Sequence, residues 1–197
     1  MTDQLNHQRS KRSAQRAVLA GLAISLGVAA VLVACSPSRA DKRPAWGTAD
    51  DVAFAKTLWP KLVAARLVGP DRLMPFPQKG EAPHGVVQQI LAGTVDLDGA
   101  KARVVVKANH RGDGLTPGAV YRDPNAKVTG YAVMAKRKAG YAPKHADWFW
   151  AVFETDGAVR VFNAKPIAGR VDTGKSNGCI GCHVKKGGRD LETLTGE

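Results

Sequence analysis

The sequence predicts a mainly β (α+β) domain: an antiparallel sheet of about five strands, an N-terminal helix and a separate C-terminal segment. Three observations carry this. Apolar residues recur at helical spacing just after residue 50, and five short β-rich runs separated by turn residues follow. The compact motif Cys179-Ile180-Gly181-Cys182-His183 comes after the last of these runs. With 197 residues, the chain is long enough for one domain with a real core once an N-terminal leader is set aside.

Residues 1–16 are polar and carry Arg9, Lys11, Arg12 and Arg16, and residues 17–34 run uncharged as AVLAGLAISLGVAAVLVA. A basic stretch followed by an apolar one is the pattern of a secretory signal. The run ends Leu32-Val33-Ala34-Cys35, which resembles a bacterial lipobox. The expected organisation is a lipoprotein-type signal peptide over 1–34, a tether over 35–49 and one domain over 50–197, with Cys35 as the lipidated residue. An uncleaved anchor and ordinary cleavage near Ala40 are the competing routes. All three place the domain outside the cytoplasm, in the periplasm, and the lipoprotein route anchors it to the membrane.

The tether SPSRADKRPAWGTA is rich in Pro, Ala and charge. Asp50 is a candidate helix cap, and Val52, Ala55, Leu58, Trp59, Leu62 and Val63 then form one apolar stripe that Gly69-Pro70 terminates. Residues 70–85 hold four prolines and read as irregular. The expected strands are Val86–Leu91, Arg103–Ala108, Val128–Lys136, Trp148–Glu154 and Val159–Asn163. Turn chemistry is supplied by Val95-Asp96-Leu97-Asp98-Gly99 and by Thr155-Asp156-Gly157, the latter a hairpin signal. Alternation puts Trp148, Trp150 and Val152 on one face of their strand and Phe149, Ala151 and Phe153 on the other. Both faces are apolar, so this strand is central or partly at a dimer interface.

The formal charge is +12, of which +9 remains beyond the leader. A basic exported domain suits acidic redox partners or anionic headgroups, and an exported location argues against nucleic acid. Lys136-Arg137-Lys138 and Lys185-Lys186 read as solvated faces.

Cys-x-x-Cys-His is the attachment signature of a c-type haem. On a helix, residues three and four apart share a face. Cys179 and Cys182 can then both reach the two vinyl groups, and His183 is held beneath the iron as its axial ligand. A zinc site would need a fuller ligand set than His7, His84, His110 and His145, scattered singly, provide. A thioredoxin-like pair belongs early in a βαβ unit, whereas this one lies near the C-terminus. Three cysteines then divide as two for one covalent haem c and one for lipid.

Several segments in order resemble the cytochrome P-460 family, which includes the β-sheet cytochromes c′. They are Pro83-His84-Gly85, Arg103-Val104-Val105-Val106-Lys107, Gly130 through Lys138, Gly140-Tyr141-Ala142-Pro143, Asp147-Trp148-Phe149-Trp150, and Cys179 to His183 followed by Asp190. The resemblance covers roughly residues 50–197. It implies a mainly β fold, often a homodimer, and a five-coordinate haem with His183 as proximal ligand and an open distal side. Members of the family oxidise hydroxylamine or bind nitric oxide and pass electrons to a redox partner such as a small cytochrome c. Lys107 matches the lysine that P-460 enzymes cross-link to the macrocycle, and is the candidate catalytic residue; a strand-end lysine reaching water is its plainer reading. Those enzymes also carry a distal carboxylate on the strand matching Gly130–Lys136, and here that stretch reads GYAVMAK, without an acid. Glu154 or Asp172 would have to supply the base. Met134 is a candidate sixth ligand or a core residue, and His84 a candidate ligand or a turn residue. His110, three residues past Lys107, is a candidate pocket residue or, as a lone loop histidine, a solvent-facing one, and Arg103, Arg122 and Tyr131 are candidate propionate partners.

Overall fold

The computed structural model describes residues 46–172 and 178–192. The chain divides into two units, Met1–Ala40 and Asp41–Glu197. The expected signal peptide and Cys35 lie outside the described residues. Among the described residues no helix is long and apolar enough to cross a membrane.

Helix α1 spans Ala49–Ala64. Its cap is Thr48 rather than Asp50: the Thr48 hydroxyl accepts from the Asp51 amide at 3.1 Å, and the Asp51 carboxylate accepts from the Thr48 amide at 3.1 Å. This reciprocal capping box satisfies two amides that otherwise lack helical partners. The domain therefore begins inside the expected tether, and the Gly47 amide already bonds to the Ala168 carbonyl at 2.7 Å.

Among the described residues eight strands follow: β1 (Gln78–Lys79), β2 (Val87–Leu97), β3 (Ala100–His110), β4 (Val128–Lys136), β5 (Trp148–Phe153), β6 (Val161–Phe162), β7 (Lys165–Pro166) and β8 (Ala168–Gly169). Short helix α2 (Pro117–Arg122) connects β3 to β4, and α3 (Cys179–Lys186) comes last. One antiparallel sheet has the order β1-β2-β3-β4-β5-β8, and β6-β7 form a separate ribbon. The expected mainly antiparallel class is therefore observed, with two corrections. The turn expected over 95–99 contracts to Asp98-Gly99, because β2 continues to Leu97 opposite Ala100. Both turn residues have positive φ, 52° and 82°, the conformation a two-residue hairpin requires. The expected strand Val159–Asn163 shortens to β6, Val161–Phe162, which pairs with β7 in the ribbon and not with the six-stranded sheet; before it, Val159 makes an isolated bridge to Phe153.

α1 covers one face of the sheet. Ala55, Leu58 and Leu62 meet Val104, Val106, Ala108, Tyr131, Val133, Phe149, Ala151 and Phe153 in the larger core. Burying such aliphatic and aromatic side chains contributes about 1.5–3 kcal/mol each, and the helix docks by this stripe. β5 is central, between β4 and β8, which accounts for its two apolar faces without a dimer interface. Its other face helps line the second core, of Val105, Met134, Trp148, Trp150, Val171 and Ile180.

Candidate functional site

The face opposite α1 is organised in rows by the strand register. One row pairs Lys136 with Trp148; the next aligns Val105, Met134 and Trp150; the next Lys107, Ala132 and Val152; and Asn109 pairs with Gly130 beyond. Side chains on a strand alternate faces, so the odd residues of β3 and the even residues of β4 and β5 share this side. A cavity of about 670 Å³ lies against it, within the usual range for a small-molecule or cofactor site.

α3 closes the cavity. Ile180 anchors the helix in the second core, and its amide bonds to the Val171 carbonyl at 3.2 Å. Cys179 and Cys182 lie one turn apart, line the cavity and form no disulfide. Burial pushes the Cys179 thiol up to about 12. His183 also lines the cavity and is 6 % exposed. Its Nδ1 is 2.8 Å from the Leu191 carbonyl, which can only accept. The ring proton is therefore on Nδ1, and the lone pair is on Nε2, the tautomer suited to metal ligation. Burial, with Lys107 and Lys186 nearby, lowers the His183 pKa despite that hydrogen bond, which favours the neutral ring. Trp150 sits edge-on to it at 4.6 Å between ring centroids.

Lys107 reaches the same cavity and is 7 % exposed; burial first, then Lys186, lowers its pKa. It is not the water-seeking strand end that its sequence position permits. His84 lines the cavity with its ring centroid 6.4 Å from that of His183, the planes at 86°. Burial, followed by Lys107, His183, Arg111 and Lys186, holds its pKa down to about 3. The loop carrying His84 is tied just ahead of it, by Arg111 to the Pro83 carbonyl and by Lys186 to Glu81.

The sequence expectations divide at this site. Cys179, Cys182, His183, Lys107, His84 and Met134 all line the one cavity. Met134 does so while packing in the second core. His110 is fully buried rather than solvent-facing. It falls on the α1 side of β3, with Nδ1 3.0 Å from the Ala126 carbonyl and Nε2 3.2 Å from Gln89 Oε1. Arg103 binds Glu192, Arg122 is exposed on α2, and the Tyr131 hydroxyl receives the Gly69 amide at 3.1 Å, so none of the three lines the cavity. Glu154 is held by Arg160 through bonds of 2.7 and 2.6 Å and, like Asp172, does not line it. Among the described lining residues there is no carboxylate; beside His183 and the two thiols, the charged and polar side chains include Lys107, Arg111, Arg160, His84 and Asn109. The basic run is not simply solvated either: Arg137 bonds to Asp98 at 2.7 Å and lies 3.7 Å over the Phe54 ring.

Sequence reasoning missed Arg111, Arg160, Asn109 and the partner of His183. Asn109 carried a signal, two positions after Lys107 on one strand face, whereas Arg111 and Arg160 are placed by loops. Two lining side chains hold buried polar atoms without a protein partner, Trp150 Nε1 and Asn109 Oδ1. Among the described residues no three His, Cys, Asp or Glu side chains converge as metal-ion ligands. Comparison with protein-family models, with curated proteins and with solved structures finds no match.

Proposed function

We propose that the chain is an exported, lipid-anchored c-type cytochrome of the P-460 type. One haem c would be held in the cavity by thioether bonds to Cys179 and Cys182, and His183 Nε2 would ligate its iron. The observation that carries the reading is the convergence of both thiols, a buried neutral imidazole with Nδ1 already committed, and Lys107 on one cavity wall. The remaining lining fits an amphiphilic macrocycle. Val105, Met134, Trp150, Ile167 and Val171 form an apolar part, and Arg111, Arg160 and Asn109 offer charge and hydrogen bonds to two propionates. The orphaned Trp150 N–H and Asn109 carbonyl are the kind of buried polar groups that a bound group satisfies.

A bound haem would supply iron chemistry for hydroxylamine or nitric oxide and electron exchange with a redox partner such as a small cytochrome c. The Leu191 carbonyl orients His183, and Lys107 would tune the ring or cross-link to it. As the resemblance implies, the domain pairs as a homodimer. A second reading, nitric oxide binding without turnover, is favoured by the absence of a carboxylate among the described lining residues, since hydroxylamine oxidation needs a proton acceptor.

Optical spectra of the purified holoprotein, ferric and ferrous, with and without hydroxylamine and nitric oxide, test these readings together. A five-coordinate spectrum that changes with either ligand is expected. A low-spin six-coordinate spectrum, with His84 or Met134 as second ligand, would leave a simple electron carrier. Steady-state hydroxylamine oxidation with an artificial acceptor separates enzyme from binder. A red-shifted ferrous Soret band lost in Lys107→Ala supports the cross-link. The covalent haem mass is expected to vanish in the Cys179→Ala, Cys182→Ala double variant. Partitioning into detergent, lost in Cys35→Ser, tests the anchor.

A further inference from the structure

The carbonyl that fixes the His183 tautomer belongs to a short turn, Arg189–Leu191, and that turn does not hold its shape alone. Asp190 and Leu191 have φ of 56° and 63°, a left-handed conformation in two consecutive residues with side chains. Such a conformation persists when surrounding contacts over-determine it. Those contacts come from the sheet. The Trp148 indole donates to the Asp190 carbonyl at 2.7 Å. Lys136 pairs with the Asp190 carboxylate and lies 4.4 Å over the Trp148 ring. Arg103 takes Glu192 in a two-point bond, its second contact at 2.6 Å. Lys136 and Trp148 are register partners, and Arg103 adjoins Val104, which pairs with Ala135 beside Lys136. Neighbouring positions on three adjacent strands thus hold the residues on either side of Leu191.

We propose that residues 189–192 form a positioning strap for His183. On this reading Trp148, Lys136 and Arg103 aim the Leu191 carbonyl at Nδ1 and thereby set how strongly Nε2 donates to a metal. A hydrogen bond from the far ring nitrogen orients a ligating histidine and raises its basicity, and outer partners of this kind commonly change metal affinity about 10–100-fold. The strap explains why an acidic pair, Asp190 and Glu192, follows the motif at this distance. Each carboxylate meets a sheet cation, Asp190 at the exposed edge of the strap and Glu192 in a more buried position. The inference rests on the haem reading of the cavity.

The test uses the full haem-loaded chain and three variants: Trp148→Phe, Asp190→Asn, and Arg103→Gln with Glu192→Gln. The readouts are covalent haem mass, one-electron reduction potential and the ferrous iron–histidine stretching frequency. The surface variants guard against misfolding of Trp148→Phe, whose side chain is fully buried. Retained haem, a lower stretching frequency and a potential raised by about tenfold in the equilibrium constant, or roughly 59 mV for one electron, are expected. Retained haem with both values unchanged in all three variants overturns the strap. A wild-type chain without covalent haem overturns the haem reading instead. The strap is then read in the haem-free chain by nitrogen-15 NMR of His183. The Nδ1–H tautomer is expected there, and a dominant Nε2–H tautomer rejects the proposal.

Discussion

Gly85→Ala isolates the reason His84 is followed by glycine. A Cβ at Gly85 would lie 2.2 Å from the His110 carbonyl oxygen and 2.5 Å from the His110 nitrogen. Both are backbone atoms of β3, at the site where its register with β4 shifts, so no flexible side chain can yield. Gly85 is not among the residues with positive φ, and the cost is therefore steric rather than conformational. Overpacking costs about 1–3 kcal/mol, and a rigid neighbour puts this site at the upper end. Lifting the loop also weakens a hydrogen bond such as Gly80 to the Val86 carbonyl, 2.9 Å, which adds about 1 kcal/mol. Alanine restricts the unfolded chain and returns about 0.4–1 kcal/mol. The net expectation is about 3 kcal/mol, or roughly 10 °C in Tm at a few degrees per kcal/mol. Urea unfolding followed by tryptophan fluorescence measures it, with Val86→Ala as the control, since Val86 is 49 % exposed. The midpoint should fall with the slope unchanged. A Gly85→Ala chain within about 0.5 kcal/mol of wild type, the range of a neutral surface change, would show that the loop is not packed on β3 in this way.

Leu58→Ala removes a fully buried side chain at the centre of the α1 stripe and is expected to cost about 2–5 kcal/mol in the same unfolding assay; a loss near zero would mean that α1 does not cover the sheet. The Arg137 guanidinium hydrogen-bonded to Asp98 holds that carboxyl below the usual carboxylate range. Its contribution is present above the unfolded value of about 4 and lost as pH falls through the lower folded value. Asp98→Asn, which keeps a residue tolerant of left-handed φ, should therefore lower stability near neutral pH, with the gap to wild type closing in acid; a pH-independent gap contradicts the ion pair. Glu154→Gln should leave hydroxylamine and nitric oxide kinetics of the holoprotein within about twofold, an effect below about 0.5 kcal/mol, because Arg160 holds Glu154 outside the cavity lining. A tenfold loss would return Glu154 to the site.

Local chemistry made much of this protein legible in advance. The stripe through Ala55, Leu58 and Leu62, the alternation along β3, β4 and β5, and the Asp98-Gly99 turn each reflect contacts a few residues apart, and periodicity reports such contacts directly. The spacing of Cys179, Cys182 and His183 likewise placed all three on one wall of a short helix. The Thr48 capping box was readable in Thr-x-x-Asp but was overshadowed by Asp50. What alternation could not say is what covers each face. Lys107 and Asn109 joined the cavity, and His110 joined the α1 side, because the fold laid α1 on one face and α3 on the other. Arg111 and Arg160 reached the site, and Glu154 was drawn away from it, through loop geometry and a six-residue ion pair that competes with any role in the cavity. The acceptor for His183 is a backbone carbonyl, which has no residue-type signature. The residues on either side of it, Asp190 and Glu192, bond to Trp148, Lys136 and Arg103, 42 to 89 residues away from them in the chain. By itself the sequence determined the ligand-type residues and the face each would share; the tertiary structure decided which of them meet, because that depends on the long-range packing of sheet, helix and strap.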